Sequence, residues 1–598
     1  MKRKKLFLQT VLFGLFLLGI SGAIAAQPLT VTGKVTDSAN GVPLPGVNIF
    51  IKGTTLGVVT NLSGDYTLTV QRSNDTLVFS YVGYLAQSIP VNGRSLINVG
   101  LIEDLIELEE LVVVGYGTQR KSDLTGAVSV VNTDDIEKVH SNNISRVLQG
   151  QASGVTVHGS GEPGADPVIK IRGIGSFRNN APLYVIDGVP VGGMVDFSPG
   201  DIESVQVLKD ASSSAIYGAR GANGVIIITT KKGKEGPVKV TYNGNYGVQN
   251  IVKRMDLTNR VQFQEMNNIA RFNDLGFWAP PPANDSTSRF FIDSLDTDWQ
   301  KEALKSAYIT EHSLSFSGGS ETANYFISMD YFDQTGTIQG PGPRYQRYSF
   351  RINSDYNLGK FKFGESIYYS YSDKINLTTS QWGNTMVDLV LATPTIGVYD
   401  ERNLGGYAGA SDRIHDQIIP NIIAFNNLFE SNSIRNRLLA ATYGEYEFIK
   451  GLKYRLNLSF DRTDWHDTYF LPKYFVGDRY RNDIAYLNDT RGDHIIMLME
   501  NTLNFTREFG NHNLTVLAGY TAQYGRWQQI SGHAEGYEEP YFKVLDAGPN
   551  LPKSVSGIET EHSILSYLGR LNYSYDDRYL LTANFRRDGS SRFGEAYR

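Results

Sequence analysis

From residue 233 onward, apolar and polar residues alternate. Leu452, Tyr454, Leu456, Leu458 and Phe460 are separated by Lys453, Arg455, Asn457, Ser459 and Asp461. A period of two sends successive side chains to opposite faces of a strand. The pattern returns at Tyr325, Ile327, Met329 and Tyr331, and at Leu571, Tyr573 and Tyr575. After Asp576-Asp577 it resumes at Tyr579, Leu581, Ala583 and Phe585. Tight turn signals at Gly359-Lys360, Lys450-Gly451 and Gly510-Asn511 alternate with long polar stretches over 280–298 and 405–432. About eleven strands are predicted here, with short turns at one end and long loops at the other, the pattern of an outer-membrane β-barrel. A soluble sandwich also alternates, but it seldom strings so many strands together with such unequal loops. The 35 Tyr and 29 Phe suit strands and the aromatic girdles of such barrels.

The N-terminus agrees with export. Lys2, Arg3, Lys4 and Lys5 precede an apolar run over residues 6–20, then Ala23-Ile24-Ala25. That run is shorter than the ~20 residues of a spanning helix. It predicts a signal peptide over 1–25, cleaved after Ala25. The chain has no Cys, which excludes disulfides, thiolate metal sites and a lipid anchor on cysteine. A net charge of −6 leaves no basic footprint for nucleic acid.

Two smaller units precede the alternating region. Over 28–103, the runs VTGKVTD, GVNIFIKGT, GDYTLTV, DTLVFSYVGY and SLINVGLIE are divided by Asn40-Gly41, Pro45-Gly46, Ser63-Gly64-Asp65 and Asn92-Gly93. They predict a small β-sandwich. An acidic linker over 104–117 ends in LVVVGYG, residues 111–117. An apolar strand after a charged linker either awaits a partner by strand addition or is a sheet strand of the next unit. Over 118–232, Asp134 with Glu137 predicts a helix cap and ISRVLQGQ a helix over 144–151. VIKIRGIGS, PLYVIDGVPV, ESVQVLK and GVIIITT predict strands, giving a compact α+β unit. Residues 225–230 are β-branched throughout, which suits a strand buried on both faces. Gly218, Gly221 and Gly224 before it allow close backbone approach.

Chemistry is sparse. The nine His are scattered, and no zinc-protease, nucleophile-elbow or phosphate-loop motif occurs. Arg172-Gly173-Ile174-Gly175 lacks the third glycine of a dinucleotide loop, since Arg178 stands there, and is read as a turn. The tract HGSGEPGADP, 158–167, is read as a connector. No catalytic, metal or cofactor site is expected, and the chain is not read as an enzyme.

LYVIDGVPV, DIESVQVLKDASSSAIYGARGANGVIIITTKKG and LVVVGYGTQ resemble the plug region of TonB-dependent outer-membrane receptors, nearest the SusC/RagA branch of Bacteroidota. RRDGSSRFGE, 586–595, resembles a barrel segment of that branch. VTGKVTD, PLPGVNIFIKGT and FSYVGY resemble the carboxypeptidase-regulatory-like sandwich. The resemblance implies a mainly β protein: an N-terminal sandwich over 28–103, an α+β plug over 118–232, and part of a transmembrane antiparallel β-barrel over 233–598. It implies 22 strands in a full-length member. Against about eleven here, the expectation is an N-terminal portion of a longer protein.

The resemblance further implies TonB-dependent import of oligosaccharides or peptides at the outer membrane, with a SusD-like lipoprotein as lid. Siderophore or cobalamin uptake by the same machinery, or a non-transporting surface binding protein, are the alternatives. TonB, powered by its ExbB/ExbD complex, would pair with a TonB box at Leu111, Val112, Val113, Val114 and Gly115. Gly173, Asp187, Gly188, Gly218, Gly221 and Gly224 would shape the plug. Arg172, Arg178 and Asp187 are expected to form ion pairs inside it. Cargo-contacting residues are not legible.

Overall fold

The computed structural model describes residues 29–594 apart from 55, 82, 103–110, 114, 116, 121–124, 133–143, 160, 178, 194–195, 379–384, 416–417, 539–540 and 550–552. The signal segment with Ala25, the cap pair Asp134 and Glu137, Val114 and Arg178 therefore lie outside the described residues. The chain divides into two compact units, 1–110 and 111–598.

The first unit is a sandwich. Leu29–Asp37 lies between Asp65–Val70, antiparallel, and Val99–Leu101, parallel. The facing sheet runs Gly57–Val59, Asn48–Ile51, Thr76–Ser80, Gln87–Pro90. Tyr66, Leu68 and Val70 point inward and alternate with exposed neighbours. They pack with Val31, Val35, Ile49 and Phe79. At Gly33 a Cβ would sit 1.8 Å from the Ile97 carbonyl oxygen, so only glycine lets the two strands meet.

The second unit holds a five-stranded sheet inside an eleven-stranded wall. The inner sheet runs Val128–Asn132, Ile202–Leu208, Val225–Thr230, Leu183–Ile186, Val189–Val191. Val225–Thr230 is central, antiparallel to Ile202–Leu208 and parallel to Leu183–Ile186. Its β-branched run is buried on both faces. Ile226 and Ile228 pack with Val205, Val207 and the wall residues Tyr368 and Leu439. Val225 and Ile227 pack with Ile216 and the wall residues Leu517 and Leu568. Two parts of the wall thus meet the two faces of this sheet. The helix expected over 144–151 is a single turn, Ile144–Val147, because Gly150 adopts φ +79° and breaks it.

The wall is an up-and-down meander. Its strands are Gly236–Gln249, Ala307–Gly319, Ala323–Thr335, Arg344–Leu358, Phe361–Ile375, Glu430–Ile449, Leu452–Leu471, Tyr486–Phe509, His512–Glu535, Lys553–Tyr575 and Tyr579–Ser590. The tight turns fall where the glycine and Asp-Asp signals placed them. Polar side chains face the plug: Arg347, Ser349, Arg351 and Asn353 are buried, while Tyr348 between them is exposed. The outer face carries Val240, Met329, Leu438, Leu458, Met499 and Leu581 in the open. Apolar outside and polar inside inverts a soluble protein and fits a lipid-facing wall. Among the described residues, no helix is long and apolar enough to cross a membrane.

The long connections at the other end are partly folded. They carry helices Arg260–Leu275, Trp299–Ala303, Thr385–Leu391 and Ile422–Leu428. Trp299, Leu389, Ile396, Ile422 and Ile423 form a core of their own. Within 405–432, Asn421 caps the helix Ile422–Leu428 through the Ala424 amide at 3.1 Å, and Glu430 already begins a strand. The apolar run Ile422, Ile423, Phe425 and Leu428 was a local signal for the last of these helices.

Candidate functional site: the seat of the plug and the hairpin at its foot

One side of the inner domain is held by buried charge. Arg351, fully buried on the wall, donates Nε to Asp201 Oδ2 at 3.0 Å, and Ser328 donates to Asp201 Oδ1 at 2.5 Å. The Arg351 guanidinium lies 4.8 Å from the rings of Phe197 and Tyr368. Arg347, also fully buried, bonds the Phe197 carbonyl at 3.0 Å and Asp330 at 2.9 Å. Arg437 bonds the Gly193 carbonyl at 2.9 Å while pairing with Asp461. Asp196 accepts from Tyr345 at 3.0 Å and Ser372 at 2.7 Å. Such charges are stable inside only because each is paired and hydrogen-bonded.

On the other side, wall side chains bond plug carbonyls, and Arg586 also pairs with Asp588 of its own strand at 2.7 Å. Arg586 donates to the Ile216 carbonyl at 2.7 Å, and Asn584 to the Ser212 carbonyl at 3.1 Å. Arg220 bonds Gln523. At the foot, Leu111–Val113 pairs antiparallel with Thr118–Arg120. Arg120 bridges to Asp577 in a tight turn of the wall at 2.8 Å. Nearby, Asp210 caps the turn Ala211–Ser214. Burial raises its pKa, but the amides of Ser213, at 2.7 Å, and of Ala127 outweigh that and hold the carboxyl below its ordinary range. Tyr184, buried near Asp166, is pushed up to about 12, first by desolvation.

Residues 120–225 match the TonB-dependent Receptor Plug Domain family, and residues 31–113 the CarboxypepD_reg-like domain family. TonB-dependent receptor P3 of Formosa agariphila is 34% identical over 98% of this chain and 57% of its own length. TonB-dependent receptor SusC of Bacteroides thetaiotaomicron is 29% identical over 95% of this chain and 57% of its own length. Its relatives are TonB-dependent receptors of the SusC type. They are receptors, not enzymes, and the chain spans a little over half the length of those it matches. The RagAB peptide importer in its "open-open" state superposes with TM-score 0.69 at 24% identity, covering 81% of this chain and 57% of that one, a likeness of fold.

In this SusC-type frame the expected residues fall as follows. Leu111, Val112 and Val113 form the hairpin strand just described. Gly115 has φ +66°, and a Cβ there would lie 2.8 Å from Ile216 and 3.3 Å from Arg570. Gly218 has φ +66°, with Asp588 Oδ2 2.1 Å from where its Cβ would be. Gly221 and Gly224 pack on the Ser214 and Leu208 carbonyls. Gly173 and Gly188 take positive φ at open turns.

Asp187 corrects an expectation. Its carboxylate accepts from the Thr230 amide at 3.0 Å and hydroxyl at 2.6 Å, and its cation, Arg351 at 3.8 Å, belongs to the wall rather than to the plug. Arg172 makes no ion pair within 4 Å among the described residues. The tract 158–167 is more than a connector. Glu162 pairs with Lys374 of the wall at 3.1 Å, and Gly164 lies on the ring of Tyr345.

Sequence reasoning missed the wall arginines Arg347, Arg351, Arg437 and Arg586. Their signal was available, since each sits at an inward position of an alternating strand. It also missed Trp465 and Trp527, stacked at 5.9 Å. Both share the inward face of Arg437, by the register Arg437–Thr463–His494–Trp527. At Gly492, beneath them, a Cβ would meet Trp465 at 2.3 Å.

Proposed function

We propose that this chain serves TonB-dependent active import across the outer membrane, with the plug as its gate. The carrying observation is the hairpin of Leu111–Val113 at the foot of a plug seated in a polar-lined wall. TonB pairs with residues 111–115 by strand addition, replacing Thr118–Arg120 as partner, and pulls. The short-turn end then faces the periplasm, with the N-terminal sandwich in that compartment.

Two aromatic rows support the membrane placement. Tyr242, His312, Tyr331, Tyr348 and Tyr371 form one ladder across five strands. Tyr356 with Phe363, and Tyr446 with Phe448, mark a second row near the turns. Tyr348 and Tyr356 are eight positions apart on one strand. At ~3.4 Å per residue and a tilt of ~40° this gives a height of about 20 Å, near the ~25 Å apolar band of such barrels.

The cargo we infer is an oligosaccharide or a peptide. The Trp465–Trp527 shelf, toward the long-loop end from the plug contact at Arg437, offers an aromatic face for it. The lid is a SusD-like lipoprotein over the long-loop end. There the helix Arg260–Leu275 turns Gln264 inward and leaves Val261, Met266, Ile269 and Phe272 exposed. Deleting residues 112–115 is expected to abolish uptake while leaving surface binding of cargo intact. Uptake that survives the deletion, or that is indifferent to collapse of the proton-motive force, overturns the reading.

A further inference from the structure

The outer wall carries a groove that none of this uses. Phe361, Phe363, Thr442, Gly444, Leu456 and Leu458 line it near the short-turn end. It spans strands five to seven of eleven, far from both edges of the sheet. It is a shallow, open depression of about 430 Å³. The missing side chain at Gly444 leaves the hollow open, because a Cβ there would already touch the Phe361 ring at 3.7 Å. The lining is apolar; it starts at the lower aromatic row with Phe363 and Gly444 and rises into the lipid-facing band at Thr442 and Leu458, so its natural filling is hydrocarbon.

The rim is cationic. Lys360 and Lys450 occupy the two tight turns just below. Lys360 Nζ reaches the Phe448 carbonyl at 3.3 Å, which brings the two turns together. Among the described residues, neither lysine has a carboxylate within 4 Å. The nearby Glu447 accepts from the Gly451 amide at 2.8 Å. Apolar walls with two lysines at one end, neither held by a carboxylate among the described residues, match an acyl chain joined to a phosphate.

We propose that this groove is a binding site for an anionic phospholipid of the inner leaflet, acyl chain along Gly444 and phosphate at Lys360 and Lys450. The inference rests on the membrane-spanning reading above, which sets the short turns toward the periplasm. A lipid A molecule would have its phosphates at the opposite end of the wall.

The test is native mass spectrometry of the full chain, extracted from outer membranes and passed through bilayers of phosphatidylethanolamine containing phosphatidylglycerol. The wild type is expected to retain one phosphatidylglycerol. Gly444→Leu, and independently Thr442→Phe, fill the groove and lower that retention at least about tenfold, equivalent to ~1.4 kcal/mol. Lys360→Glu with Lys450→Glu keeps the hollow but removes the preference for phosphatidylglycerol. Unchanged retention in both filling variants, an unchanged preference in the lysine variant, or retained lipid A overturns the site while leaving the membrane reading standing. A chain absent from the outer-membrane fraction overturns both.

Discussion

The two flanks of the plug are fastened by different chemistry. On one, Asp201 and the Phe197 and Gly193 carbonyls receive wall arginines, two of them fully buried. On the other, Arg586 and Asn584 hold the Ile216 and Ser212 carbonyls, and the hairpin bridges to an exposed turn. A buried pair loses heavily when one partner goes, because the other charge is stranded without water. A bond to a backbone carbonyl costs far less to break. On the reading proposed above, the flank nearest the hairpin is the one that a pull on residues 111–115 would release first.

The comparison breaks most readily at Asp201. Asp201→Ala leaves the buried Arg351 with Asp187, at 3.8 Å, as its remaining carboxylate and is expected to cost about 3 kcal/mol in denaturant unfolding. Pairing Asp201→Leu with Arg351→Met should return part of that loss, because Asp187 then gives up its cation. Arg586→Met, on the other flank, breaks the bond to Ile216 and the pair with the part-exposed Asp588, and should cost less, about 1.5–3 kcal/mol. If the two single variants lose equal stability, the asymmetry is wrong.

Asp210 sharpens the weaker flank. Asp210→Ala removes a cap and should cost about 1 kcal/mol. Its carboxyl is held below the ordinary 3.8 in the folded chain. Its contribution is therefore fully present above that value and is lost as pH falls through the folded pKa. Unfolding followed below pH ~4 should show the wild type losing this increment and the Asp210→Ala variant lacking it. The smallest effect belongs to Arg120→Ala, about 0.5 kcal/mol or less, because Asp577 is two-thirds exposed. A larger loss there would make the hairpin a structural anchor rather than a releasable one.

Much of the wall could be read directly. Period-two runs and glycine turns are local signals, and so is the β-branched run that became the central plug strand. The seat could not be read, because Arg351 meets Asp201 across a separation of 150 residues. That meeting is set by the stagger of eleven strands, not by any local pattern. Asp187 shows the limit: its turn conformation was legible, but its partner across the interface was not. The shared core of the folded outer segments escaped because it draws a few apolar residues from each of several long connections.

The link between plug and wall bears on how far the gate can swing. Only residues 231–235 separate Thr230 from Gly236. Fully stretched they reach about 17 Å. Midway, Gly233 is pressed so close to Tyr325 that a Cβ would overlap that residue's backbone at 2.3 Å. The last plug strand is thus on a leash shorter than the bilayer is thick. On the import reading proposed above, that strand would stay with the wall while parts of the plug farther from it move.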